Sequence, residues 1–211
     1  MPTATVRLPF PSSRILVVSD FNCPYCYTLN EWIERLGRAG QVRWIGIEHR
    51  PTLPTAGDNN PGDTVTLHTE VADVQERAPE VEVVAPDTWV NSNAAVLLQN
   101  AVEDEHPELA PRLRSRIFRA YWREGQSISS PGVLSSISAE LQIPPVETEE
   151  DYLDELTDWW RHSLDRIPCM LAPTGLAHLG LQDFNAVQSF LNSAIHASSV
   201  GPGCRSRDLE P

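Results

Sequence analysis

No stretch of the 211-residue sequence approaches the ~20 consecutive apolar residues of a membrane span. The opening segment, MPTATVRLPFPSSR, also lacks the apolar centre of an export signal. The expectation from these two absences is a cytoplasmic protein with no membrane contact. Basic residues are scarce: 16 stand against 29 acidic ones, for a formal net charge of -13. An anionic surface of that kind argues against nucleic acid as the main partner. Cysteine is scarce too. Of the four, only Cys23 and Cys26 lie close together, which rules out a disulfide framework. The six histidines have no metal-ligand spacing, and no internal repeat is visible.

What is present is a chain 41% hydrophobic and long enough to bury a real core. RILVVSD (14–20) is short, β-branched and continuously apolar, as a buried strand should be. Asn22 is placed to cap a helix through CPYCYTLNEWIERLG, with Pro24 in its first turn and Gly37 ending it. QVRWIGIEH (41–49) reads as a second strand, so the first fifty residues form a βαβ unit with parallel strands. Residues 51–63 are rich in proline, glycine and Asx and read as loop. Helices are then expected over 64–77, 88–104, 107–125, 131–143 and 148–164, with 78–87 ambiguous. IPCMLAP (167–173), a Thr174-Gly175 turn and LAHLGL (176–181) predict a hairpin, followed by a helix over 183–197.

The order is β-α-β, a block of about five helices, then β-β-α. Two strand-bearing halves complete one sheet only if the helices are an excursion. The predicted class is α/β, a thioredoxin fold with an inserted α-helical domain. Residues 14–62 would carry the first βαβ part and 63–147 the insertion. Residues 148–197 would carry the returning helix and the ββα part, with 198–211 a disordered tail.

The Cys23–Cys26 pair could bind a metal, close a structural disulfide or cycle between thiol and disulfide. Structural zinc takes four ligands, commonly from two close pairs, and Cys169 and Cys204 are isolated. A redox dithiol fits better. Cysteines at i and i+3 in a first helical turn share one face, and the open N–H groups there favour an anion on Cys23. Cys26, one turn deeper, would be the resolving thiol. Pro24 would restrict the loop, and Tyr25 would shield one side. Asp20 would either relay a proton or act as an anion at the helix start. Cys169 reads as a buried inert thiol, the sharper alternative being a third thiol able to trap Cys23. His49 and Arg50, at the end of the second strand, are further candidates.

VVSDFNCPYCY, VRWIGIEHRPTLP, NSNAAVLLQNA, RIFRAYWREGQSISSPGVL and RIPCMLAPTGLAHLGLQDFNAVQSFL resemble, in that order, the DsbA-like branch of the thioredoxin superfamily. That branch includes FrnE-like oxidoreductases and 2-hydroxychromene-2-carboxylate isomerases, and the likeness spans roughly residues 14–196. It implies a redox dithiol at Cys23 and Cys26 and a cis-proline at Pro168, with Ile167 facing an extended substrate. The isomerases carry serine where Cys23 stands, and Val96 and Leu97 occupy their His-Arg positions. The buried carboxylate of thioredoxins falls at Val17, whereas Asp20 matches the FrnE-like pattern. The implied activity is thiol–disulfide exchange without a required cofactor or metal, with a protein or small-molecule thiol as substrate and glutathione as a candidate redox partner. A glutathione-dependent isomerase or transferase and a non-catalytic chaperone-like binder are the alternatives, and a homodimer is left open.

Overall fold

The structure, a computed structural model, describes residues 9–54 and 61–199. Its sheet has four strands in the order β2-β1-β3-β4. Strand β1 (Ile15–Ser19) pairs in parallel with β2 (Val42–Gly46) and antiparallel with β3 (Cys169–Leu171), which pairs antiparallel with β4 (Ala177–Leu179). All five residues of β1 are buried, because as an inner strand it has both faces covered. Alternation divides its side chains between two cores. Ile15 and Val17 join Trp44 and Met170 on one face, and Leu16 and Val18 join Ile45, Cys169 and Leu171 on the other.

The first face is covered by α1 (Pro24–Arg35), α7 (Phe184–Ser199) and the helices α2 (Pro61–Arg77), α3 (Asn93–Glu105), α4 (Ala110–Trp122) and α5 (Pro131–Leu141). Leu156, Trp160 and Leu164, from α6 (Glu150–Ser163) and the residue after it, cover the second. The five helices α2–α6 therefore all fall between β2 and β3 in the chain, as the pattern predicts.

Helix α1 begins at Pro24, whose missing N–H costs nothing in the first turn, and ends on Gly37 with φ +64°. There Arg38 N donates to Ile33 O at 3.0 Å and Gly37 N to Glu34 O at 2.9 Å, the paired bonds of a left-handed helix stop. At the sheet edge, β2 runs against α3 so closely that a Cβ on Gly46 would lie 2.8 Å from Val96 Cγ1. Asn100 then supplies what a missing neighbour strand would. Its side chain accepts from Gly46 N at 2.8 Å and donates to Gly46 O at 3.0 Å.

Several boundaries differ from expectation. The residue at the N-cap of α1 is Cys23; the Asn22 amide instead donates to Val90 O at 3.3 Å. The helix expected over 88–104 starts at Asn93, because Trp89 and Val90 are held by long-range bonds: Trp89 Nε1 donates to Asn22 O at 2.7 Å and Val90 N to the Tyr121 hydroxyl at 3.2 Å. Helix α2 starts at Pro61, taking in the last residues of the expected loop. Helix α7 runs to Ser199, and the remainder of the expected tail, residues 200–211, lies outside the described residues.

Candidate active site

The end of β1 turns directly into α1, which puts Cys23 at the N-cap with extended backbone (φ −108°, ψ 115°). Its carbonyl accepts from Cys26 N and Tyr27 N, both at 3.1 Å, closing the first turn. Both cysteines are buried, Cys23 at 3% exposed and Cys26 at 0%. Cys23, Cys26 and Cys169 are all free thiols. Burial pushes the Cys26 thiol well above its ordinary range, and its hydrogen bond to the Cys23 sulfur pushes the same way, as does the charge on Cys23. A backbone N–H at Asp20 pulls Cys26 back, and the Asp20 carboxylate opposes that pull.

Asp20 is 1% exposed and sits behind the dithiol as a hydrogen-bond hub. Its Oδ2 receives His49 N at 2.9 Å and pairs with His49 Nδ1 at 2.8 Å; its Oδ1 receives Asn22 N at 3.4 Å and the Ser92 hydroxyl. His49 Nε2 in turn accepts from Arg50 Nε at 3.0 Å, and Arg50 Nη2 reaches Glu70 Oε1 at 2.9 Å. The Arg50 guanidinium lies 3.8 Å from the centre of the Trp89 ring. Burial raises the Glu70 carboxyl, against the pull of Arg50 and His49.

Tyr25, next to Cys23 in the exposed part of the motif, donates its hydroxyl to Asp73 Oδ2 at 2.9 Å; burial, and then Asp73, raise that phenol. Arg77 holds the same oxygen at 2.8 Å. Pro24 is buried. The Ile167–Pro168 bond is cis. Since Val18 pairs with Cys169, the register continued by one residue sets Pro168 opposite Ser19, at the strand end that leads into Asp20 and Cys23. Pro168 O accepts from Gly180 N at 2.8 Å.

Cys169 belongs to the other side. It packs with Leu16, Val18 and Leu171, whereas Cys23 and Cys26 pack with Val17 and Met170. Burial pushes its thiol up to about 12. The sheet stands between it and Cys23.

The structure thus brings His49 and Ser92 to Asp20, Arg50 and Glu70 to His49 in turn, and Asp73 to Tyr25. Ser92 falls inside a segment that periodicity assigns to a helix interior. Its residue type, common just before a helix, is the signal that could have found it. Glu70, Asp73 and Arg77 are spaced to share one face of α2, but nothing in that spacing says what the face meets. Among the described residues, no group of three or more His, Cys, Asp or Glu is placed to hold a metal ion. No helix among them is long and apolar enough to cross a membrane.

A family model for the DSBA-like thioredoxin domain matches residues 14–156, more than half of the chain. The chain belongs to the DsbA-like thioredoxin family. No curated protein matches it. Among solved structures, a candidate protein disulfide isomerase from Nitrosomonas europaea superposes with a TM-score of 0.66 at 14% identity, over 87% of this chain and 97% of that one. The cytosolic disulfide reductase DsbM from Pseudomonas aeruginosa, solved with GSH, gives 0.61 at 18% identity, over 87% and 99%. A 2-hydroxychromene-2-carboxylate isomerase gives 0.52 at 15%, over 87% and 94%. At these identities the likeness establishes the shared DsbA-like thioredoxin fold.

Proposed function

We propose that this DsbA-like protein catalyses thiol–disulfide exchange with Cys23 as nucleophile and Cys26 as resolving thiol. One observation carries the reading: two free thiols stand three residues apart at the start of one helix, Cys23 as its N-cap and Cys26 fully buried in its first turn. The Cys23 thiolate attacks a substrate disulfide, forming a mixed disulfide and releasing the first substrate thiolate. The Cys26 sulfur then attacks Cys23 Sγ. The Cys23–Cys26 disulfide forms, and the second substrate sulfur leaves with the proton that Cys26 gives up. The substrate is reduced by two electrons and the protein oxidised. A second thiol, glutathione or a protein dithiol, reverses the sequence.

Pro24 and Tyr25 shape the approach to Cys23, and Tyr25 ties it to α2 through Asp73. Ile167 and Pro168 form the loop that an extended substrate would meet. Asp20 supplies a fixed charge behind the sulfurs. No metal or nucleotide enters these steps. The GSH-bound DsbM neighbour supports glutathione as a partner, and its description as cytosolic supports a cytoplasmic setting. An isomerase of the chromene type would want a pocket at Cys23. Three surface hollows of about 240, 250 and 260 Å³ are lined by neither cysteine.

The test is trapping. Cys26→Ser, incubated with oxidised glutathione, should accumulate one mixed disulfide on Cys23, which intact-mass and fragment analysis would locate. Cys23→Ser should form none at this site. A Cys26→Ser protein that stays unmodified while folded would defeat the assignment.

A further inference from the structure

Asp20 receives four donors from three separate parts of the chain: Asn22 N, His49 N, His49 Nδ1 and the Ser92 hydroxyl. A carboxylate offers about four lone-pair sites, so none is left open for a proton from Cys26. Asp20 is therefore held in one orientation by donors from several sides. Of its donors, the His49 ring is the one held in turn by an outer contact. Arg50 Nε can only donate, so His49 Nε2 must accept at 3.0 Å and the ring hydrogen sits on Nδ1, aimed at Asp20. A doubly protonated ring would set two donors face to face. Arg50 is kept in place by Glu70 and by the Trp89 ring.

We propose that His49 is a positioning residue of the dithiol: it clamps the Asp20 carboxylate behind Cys26, and Arg50 fixes the ring in the tautomer that makes the clamp. The inference rests on the thiol–disulfide reading of the site and deepens it. Burial does most to keep the proton on Cys26, the Cys23 sulfur adds to it, and the Asp20 carboxylate works in the same direction, so attack begins at Cys23. The proton of Cys26 then leaves with the departing substrate thiol, and no base is needed. The charged and titratable groups that act on Cys26, Asp20 or His49 are Cys23 at the N-cap of α1, Arg50 beside His49, Glu70 on α2 and Tyr121 on α4.

The test follows Cys26 ionisation in the reduced full-length protein by NMR of 13Cβ-labelled cysteine, with resonances assigned from single Cys→Ser variants. In His49→Leu, the Asp20 carboxylate is no longer held in place by the ring N–H and its charge acts less on the thiol, so the Cys26 midpoint should fall by about one pH unit. His49→Asn retains an amide N–H where Nδ1 stood and should keep the wild-type midpoint. Where His49→Leu does not fold, Ser92→Ala removes the other side-chain donor and should shift the midpoint in the same direction. An unchanged midpoint in a folded His49→Leu or Ser92→Ala protein overturns the clamp, and so does His49→Asn shifting as far as His49→Leu. The midpoint is read whether or not the dithiol can be oxidised, so failure of the clamp and failure of the exchange reaction are separate results.

Discussion

Burial separates the roles of the cysteines more sharply than spacing does. Cys23 and Cys26 are three residues apart, yet only Cys23 has any exposed surface. Cys169 lies on the far face of the sheet, with a thiol pushed by burial from 9.0 up to about 12. Its raised ionisation has a consequence for stability. In the unfolded chain the thiol ionises near its ordinary value, while in the folded protein it holds its proton, so its share of stability is full below pH 9 and lost as pH rises towards 12. Cys169→Val should flatten the fall of unfolding free energy between pH 9 and 11 by about 1.4 kcal/mol per pH unit, measured by urea titration of the reduced protein. An unaltered slope would mean that Cys169 is not held protonated. At this scale Cys23, Cys26 and Asp20 stand out because they lie in or beside one motif, whereas Pro168, whose bond is cis, is pointed to by the family resemblance alone. Ser92 was not legible: its bond to Asp20 spans 72 positions, and no local pattern encodes such a pairing.

Among the elements, those with a strong period were read closely. Strand β1, helix α1 with its Gly37 stop, and the Thr174-Gly175 hairpin all follow local rules. The start of α3 does not, because tertiary bonds to Trp89 and Val90 override a segment of good helix formers. Strand β2 and helix α3 approach closely at Gly46, where the methyl of an alanine would meet the branched side chain of Val96 at 2.8 Å. Val96 has little rotamer freedom on a helix. Gly46→Ala should cost about 1–3 kcal/mol in denaturant unfolding. Val96→Ala in the same chain should recover part of that cost, giving a coupling that two independent sites would lack. Additive losses would show that β2 and α3 do not meet at this point.

Across the whole molecule, helices α2–α5 share one apolar core with α1 and the first sheet face. Arg114 of α4 is fully buried among them, with Nε donating to Asn30 of α1 at 2.8 Å and its guanidinium 4.4 Å from the Trp44 ring centre. Burial lowers it to about 10, with Glu103 and Glu34 opposing. Arg114→Ala should remove about 3–5 kcal/mol, by breaking its bond to buried Asn30 and its 3.7 Å pair with Glu34. Because the core is continuous, tryptophan fluorescence and far-ultraviolet circular dichroism should report one coincident transition; two separate transitions would contradict a shared core. The sequence pattern predicted the order of elements and the sheet they complete, but not this burial. A lone arginine on an amphipathic helix looks the same whether it faces water or a neighbouring helix.

The most direct test of the exchange mechanism is a redox titration of the purified protein against mixtures of reduced and oxidised glutathione, with free thiols alkylated and the peptides read by mass spectrometry. A single two-electron transition should convert Cys23 and Cys26 together into one disulfide, while Cys169 remains a thiol throughout. Absence of any transition across the accessible ratios, or pairing of Cys23 with a cysteine other than Cys26, would contradict it.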